Sequence, residues 1–465
     1  MSNSPTTFAV RNGRFYTEAG VFEGSVHSYG GRIDWMGKDS GCPPSDRVVD
    51  AHGRWVLPGI IDAHCHLRDL GKSAFEDFSS GTETAAAGGV TTVFEMPTTI
   101  PPTSTPEAFA SKLEVAKSKA IVDFCLYAGA GSANVQLISK LAKLGAVGFK
   151  TFTMIYPGRE KEMEGVYMQD EGSFYACLDE IAKTGLFCSV HAENYSMIKF
   201  FEDKVKAAGG RDLLAYLKAK PGVVEGEAAS RALYLGSVAG ARMHIAHLSA
   251  MEIIDFLGNY RARGFDFTSE TTLHYLTFTA EELERYGPYG KTAPAIRTAE
   301  NRAALWRALN SGIISMVVSD HAPFSKDMKE RGRDDVFLAQ AGVTGLQAMV
   351  PVMLTHMNDG KISLDTLVRV MSSNPAKLGR IYPRKGTIAL GADADFTVVD
   401  PKAEWRVKVD DFYTKDKAGA AIYDGYRARG KVAYTIVRGQ VVAEDGRATA
   451  DRPIGELVRP SIHPS

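Results

Sequence analysis

From Pro58 onward the chain alternates short apolar runs with helix-like stretches, repeating about every thirty to forty residues. The runs are GIIDAHCH, VTTVFEMP, IVDFCLYAG, AVGFKTF, LFCSVHAEN, RMHIAHLS, FDFTSETT and ISMVVSDHAP. Between them lie segments such as FEDFSSGTETAAAGG, PEAFASKLEVAKSKA and EGEAASRALYLGSVAG. Strands covered on both faces read as near-continuous apolar runs, the pattern of a parallel sheet. Eight βα units in succession fit a closed (β/α)8 barrel, an α/β fold that gathers its active-site residues at the C-terminal strand ends.

The ends of the chain follow a different rhythm. TFAVRNGRFY, VFEGSVHSY and, after a Gly-Gly turn, RIDWMG read as short strands. After about Lys385 the pattern returns to strands in GADADFTVVD and KVAYTIVRGQVVAEDG. The expected organisation is a barrel over residues 57–384 and one small β-sandwich, built from residues 1–56 and from residues 385–465, which include the tail. Residues 195–226 are long for one βα connection and are expected to cover the barrel mouth. The tail from 451 to 465, with three prolines, is expected to run extended against a neighbouring subunit.

Composition narrows the function classes. With 54 Lys plus Arg against 55 Asp plus Glu, the chain lacks the basic surplus that binding a nucleic-acid backbone requires. No apolar stretch is long enough for a membrane span, and MSNSPTTFAV lacks the layout of a signal peptide. Five scattered cysteines (Cys42, Cys65, Cys125, Cys177 and Cys188), never in a CxxC pair, read as a reduced, cytoplasmic chain without disulfides or a zinc knuckle.

The chemistry sits at the strand ends. His64 and His66 are two apart, so in a strand both imidazoles project from one face and can reach one ion. Taken alone, the pair reads first as metal ligands and also as two surface or core histidines. Other strand ends decide it: Lys150 after AVGF, His191 after LFCSV, His247 after HIA and Asp320 after ISMVVS. Polar residues ending five barrel strands, where this architecture concentrates function, point to a metal site. A lone lysine aimed into the barrel must be neutralised or partnered. His244 and Cys65 face away and are expected to pack or support, and His321 is expected to hydrogen-bond behind the ligands. His27, His52, His356 and His463 lie outside the constellation.

The order of PGIIDAHCHLRD, AAAGGVTTVFEMPTTIPPT, GAVGFKTF, VHAEN, HIAHLS, HYLTFTAEEL, KTAPAIR, SDHAP, SSNPAKL and KGTIALGADADFTVVD resembles the amidohydrolase superfamily. The match is to its cyclic amidohydrolases: hydantoinases (dihydropyrimidinases), allantoinases and dihydroorotases. The resemblance implies a TIM barrel with a β-sandwich from both termini, and a homotetramer. It implies two divalent ions, with zinc favoured and manganese or cobalt compatible. His64 and His66 would hold the more buried ion and His191 and His247 the other, while Lys150, carboxylated to a carbamate, would bridge them. Asp320 would be both ligand and general acid/base. Four neutral imidazoles, two anionic oxygen ligands and a bridging hydroxide would leave that site near +1, suited to a developing oxyanion.

EMPTTIPPTSTPEAF, VKAAGGRDLLAY and ERYGPYGKTAPAIRTAENRAALW look most like the L-hydantoinase branch, and GVTGLQ and HYLTFTAEEL more like allantoinases. The HxHxR form ending in Arg68 looks like dihydroorotases, whose arginine binds the substrate carboxylate, but Thr98 stands where those enzymes carry a substrate-binding asparagine and by that position is itself expected at the substrate. Arg68 has two readings, substrate contact or a local pair with Asp69. By position, Ala293 would offer backbone contacts to the ring amide, and Thr153, Met154, Ile155 and Tyr156 would shape an apolar substituent pocket. The implied reaction is hydrolysis of a hydantoin-like ring to an N-carbamoyl amino acid. The rival from another class is a non-catalytic scaffold of dihydropyrimidinase type, which the filled ligand positions oppose.

Overall fold

A computed structural model describes residues 6–156 and 158–461 of the chain; His463 and the last residues of the tail lie outside them. The first strands are β1 (Thr7–Thr17), β2 (Gly20–Tyr29), β3 (Arg32–Gly37), β4 (Arg47–Asp50) and β5 (Trp55–Pro58). There follow β6 (Ile60–Cys65), β7 (Val90–Glu95), β8 (Asp123–Leu126), β9 (Ala128–Gly129), β10 (Phe149–Phe152), β11 (Phe187–His191), β12 (Arg242–Ile245), β13 (Phe267–Thr272) and β14 (Met316–Val318). The chain ends with β15 (Phe396–Arg406), β16 (Arg427–Val437), β17 (Gln440–Glu444) and β18 (Arg447–Ala448).

Each apolar run of the middle region is a parallel strand, paired in chain order from β6 to β8 and from β9 to β14. Segments β8 and β9 are halves of one strand interrupted at Tyr127, so these runs make the eight expected strands. The ring closes where His66 N–H donates to His321 O at 2.8 Å and Cys65 bridges His321 in parallel register. Strands β6, β7, β8, β10 and β11 are buried along their whole length, which explains why both faces are apolar in sequence.

Both termini enter one nine-stranded sheet, ordered β18-β17-β16-β15-β5-β1-β2-β3 with β4 beside β1. The junction is β5 against β15, antiparallel, with Val56 opposite Val398. Strand β1 forks: residues 8–11 pair with β4 and residues 14–15 with β5, and the glycine Gly13 marks the shift of register against β2. Phe8, Phe15, Val26, Val56, Phe396 and Ile436 share the core beneath this sheet.

A buried ionic cluster ties the sheet to the barrel base. Lys385 donates to Asp123 at the start of β8, and lies 3.0 Å from Asp393 and 2.6 Å from Asp395; Arg438 also binds Asp123. The described part of the tail lies on its own chain. Phe124 N–H donates to Glu456 O at 3.0 Å and Val458 N–H to Phe124 O at 2.8 Å, so residues 456–458 lie along the chain's own barrel, with Val458 fully buried.

Candidate active site

The strand ends deliver six donor side chains into one cavity of about 440 Å³. Asp320 Oδ1 lies 3.4 Å from His64 Nε2 and 3.5 Å from His66 Nε2, and the three groups offer donor atoms within 4.8 Å of one another. Beside them, His191 Nδ1 and His247 Nε2 are 2.9 Å apart, and the His64 and His247 rings lie 5.3 Å centroid to centroid. Lys150, from β10, is fully buried with its Nζ against the Phe152 ring at 5.2 Å, and that nitrogen has no hydrogen-bond partner among the described residues.

A layer of polar groups aims these donors. Glu270, on β13 and fully buried, binds His64 Nδ1, takes the His247 backbone N–H at 3.2 Å and lies 3.0 Å from His244 Nε2. With Nδ1 held from behind, His64 turns Nε2 toward Asp320. His244 thereby supports the site from the outer face, as its spacing implies, and its Nδ1 rests 2.8 Å from Thr268 Oγ1. His191 is oriented by Glu193 at 2.9 Å and by the Tyr156 hydroxyl at 2.8 Å, both on Nε2, and Lys220 in turn neutralises Glu193. Behind Asp320, Asp62 takes the backbone N–H and the hydroxyl of Ser319. His321 faces away to Glu76 at 3.2 Å, and Cys65 is buried in the outer apolar layer.

Arg68, His247 and Asp320 all carry positive φ, at 65°, 35° and 43°. Non-glycine residues rarely sit there, and such conformations concentrate where a site over-determines the backbone. Burial sets the charges. It pushes the imidazoles of His66 and His247 well below the usual histidine range and that of His191 to about 4, so all three are neutral with lone pairs free for a metal. Burial lowers the Lys150 ammonium to about 8 and raises the Asp320 carboxyl. Converging neutral imidazoles, one carboxylate and an unpartnered amine fit divalent ions bound by mixed nitrogen and oxygen ligands. The other buried carboxylate group, Asp123, Asp393 and Asp395, already encloses the Lys385 ammonium and has no such vacancy of charge.

Of the residues expected at the substrate, Arg68, Tyr156, Ala293 and Met154 line the cavity. The Arg68–Asp69 pair does not form. Arg68 Nε donates to Pro323 O at 3.2 Å with its guanidinium over the Phe324 ring at 4.7 Å, while Asp69 binds Lys119 and the Phe78 N–H. Thr98 needs a correction too: its hydroxyl lies 3.0 Å from His66 Nδ1 and is spent on orienting that ring. Thr153 likewise bonds inward to His191 O and Glu193 O, and Ile155 packs with Phe152 and Met163. The long segment 195–226 does form the rim, through Tyr195, Ile198, Tyr216 and Lys220. Glu270, Glu193, Lys220 and Arg159 were not singled out in sequence. Glu193, two residues after His191, carried the same same-face spacing as the His64 pair, whereas Arg159 comes from a loop without periodicity.

The amidohydrolase family model matches residues 55–442. Over 452 residues, 97% of each chain, the sequence is 37% identical to an L-hydantoinase of Paenarthrobacter aurescens. It is 35% identical to an allantoinase of Rubrobacter xylanophilus, over 97% of this chain and 96% of that one. Among solved structures, L-hydantoinase (dihydropyrimidinase) from Arthrobacter aurescens superimposes with a TM-score of 0.93 at 36% identity, covering 97% and 99% of the two chains. Full-length similarity at this level, on a barrel whose strand ends converge on one donor cluster, makes the chain a member of the amidohydrolase family.

Proposed function

We propose that this enzyme hydrolyses a hydantoin-like cyclic amide to an N-carbamoyl amino acid. The observation that carries the reading is the convergence of His64, His66, Lys150, His191, His247 and Asp320 on one cavity. These six would hold two divalent ions, zinc being favoured, with Lys150 carboxylated and shared between them. Such ions would polarise the ring carbonyl and make a water acidic enough to attack near neutral pH.

The chain's own groups complete the reaction. Asp320, its carboxyl raised by burial, takes the proton of the attacking water and returns it to the leaving ring nitrogen. The C–N bond breaks, the carbonyl carbon becomes a carboxylate, and the nitrogen keeps the returned proton. Arg68 is the group for that new negative charge: Phe324 and Pro323 O pin its guanidinium in the cavity wall, and its buried Nη1 has no hydrogen-bond partner among the described residues. Tyr156 closes one side while holding His191, and the backbone of Ala293 offers the ring amide its hydrogen bonds. Allantoin is the second substrate in line, since it presents the same five-membered ring and a relative of that name is 35% identical. A cytoplasmic homotetramer belongs to the same proposal, and Tyr234, Val238 and Phe256, exposed on adjoining outer helices, supply an apolar face for it.

The test is a panel of hydantoins, dihydrouracil, allantoin and dihydroorotate offered to zinc-, manganese- and cobalt-loaded enzyme. Opening of a hydantoin ring is expected. Failure of every metal form to open any ring would overturn the reading.

A further inference from the structure

Across the cavity from the ligand cluster runs the segment 336–342, which contributes Phe337, Leu338, Ala339 and Gln340 to the wall. It has little regular structure, a single turn at Val336–Leu338, yet its backbone is held by two buried lysines. The Lys291 ammonium donates to Val336 O at 2.9 Å, Phe337 O at 3.0 Å and Ala339 O at 2.6 Å, and rests 4.8 Å from the centre of the Tyr216 ring. Lys329 binds Gly342 O, while Gly342 N–H donates to Lys291 O at 2.9 Å. An ammonium in the interior is costly unless its hydrogens are all used. Here three carbonyls of one short segment take the hydrogens of Lys291, and Lys329 adds a fourth contact at Gly342 O, so segment and lysines fix each other.

The segment is also tied to the opposite rim. Val336 N–H donates to Arg211 O at 2.7 Å, and the Phe337 ring packs on Tyr216 at 5.8 Å. On this fixed backbone, Leu338 is 63% exposed although it borders the cavity. Ile198 and Tyr195 line the same cavity from the helix Tyr195–Ala207. A large apolar side chain held in water at the mouth of a cavity gains free energy only when something apolar covers it.

We propose that residues 336–342 form the specificity wall for the ring substituent. Leu338 is the specificity-determining residue, packing on a bulky apolar group at ring position 5, and Lys291 is the positioning residue that holds the wall. This rests on the cyclic-amide reading and narrows the substrate class to rings bearing a large apolar substituent.

The readout is the ratio of kcat/KM for 5-benzylhydantoin to that for unsubstituted hydantoin. The wild-type enzyme is expected to favour the benzyl compound, and Leu338→Ala to lower the ratio about tenfold. Lys291→Met is expected to raise KM for 5-benzylhydantoin with a smaller change in kcat, the split expected when a wall is displaced. A ratio unmoved by Leu338→Ala, or a wild-type preference for the bare ring, overturns the proposal while leaving ring opening intact. An equal fall in kcat for both substrates in Lys291→Met, with KM unchanged, overturns its positioning role. If Lys291→Met does not fold, Leu338→Ala still decides the matter, since it truncates an exposed side chain. Wild-type enzyme inert toward both rings would instead defeat the cyclic-amide reading.

Discussion

Glu270 offers a way to separate charge from geometry at the candidate metal ligands. Its carboxylate takes hydrogen bonds from the His64 ring, the His244 ring and the His247 backbone, and burial excludes water from all three. Glu270→Gln keeps the volume. Its amide nitrogen can face His244, whose proton then moves to Nδ1 and is received by Thr268 Oγ1, 2.8 Å away. The wiring behind His64 survives and the negative charge is lost. Removing a supporting carboxylate of this kind weakens metal binding by about 10–100-fold, or about 1.4–2.8 kcal/mol. Glu270→Leu strips the acceptors as well, leaving three buried polar groups unpaired at about 1–3 kcal/mol each, so it should lower the stability of the apo-protein too. Competition with a chromophoric chelator gives the zinc affinity, and thermal unfolding of apo-protein gives the second quantity. Zinc affinity in Glu270→Gln equal to wild type would refute the electrostatic role. Equal thermal losses in Gln and Leu would refute the rewiring through His244.

Four further outcomes are expected. Lys150→Ala should bind fewer metal equivalents per chain than wild type, and Asp320→Asn should fold normally but lose about 10²–10⁴-fold in kcat; metal analysis and initial rates check both. Acid should destabilise the apo-protein between about pH 6.5 and 4: burial holds His191 and His356 at about 4 and His274 at about 3, so the unfolded chain binds more protons in that window. Asp62, raised to about 6, and the buried carboxyls of Glu95, Glu225, Asp320, Asp395 and Asp416, also raised by burial, work in the opposite direction at lower pH. The loss should therefore be steepest near the unfolded histidine pKa of about 6.5, and a melting temperature independent of pH there would contradict the sign. Lys385→Met should lose about 3–5 kcal/mol in denaturant unfolding, because it leaves Asp123, Asp393 and Asp395 facing one another without their central cation.

The barrel was legible because burial on both faces leaves no alternation to blur the runs, and every one of the eight became a strand or lies over one. The residues that converge on the cavity were legible for a related reason: a polar residue ending an apolar run stands out. The supporting groups were harder to read. Glu270 sits inside FTSETT, where threonine and serine hide a buried carboxylate, and its partners lie on other strands. Thr98 was placed at the substrate by position alone, and the hydrogen bond to His66 Nδ1 depends on a turn after β7 that no local pattern encodes. Around residues 456–458 the tail pairs as extended chain, and which surface it lies along is a property of tertiary packing.

The seam between β5 and β15 has a bearing on how the chain is made. Translation delivers β1 to β5 first, and local hairpins can form at once, but the free edge of β5 waits until the entire barrel has emerged before β15 can dock. During that interval a row of unpaired amides and carbonyls is open to neighbouring nascent chains. Yield of native enzyme should therefore respond to chaperone supply and to slower elongation at low temperature more than to any change around the catalytic cavity.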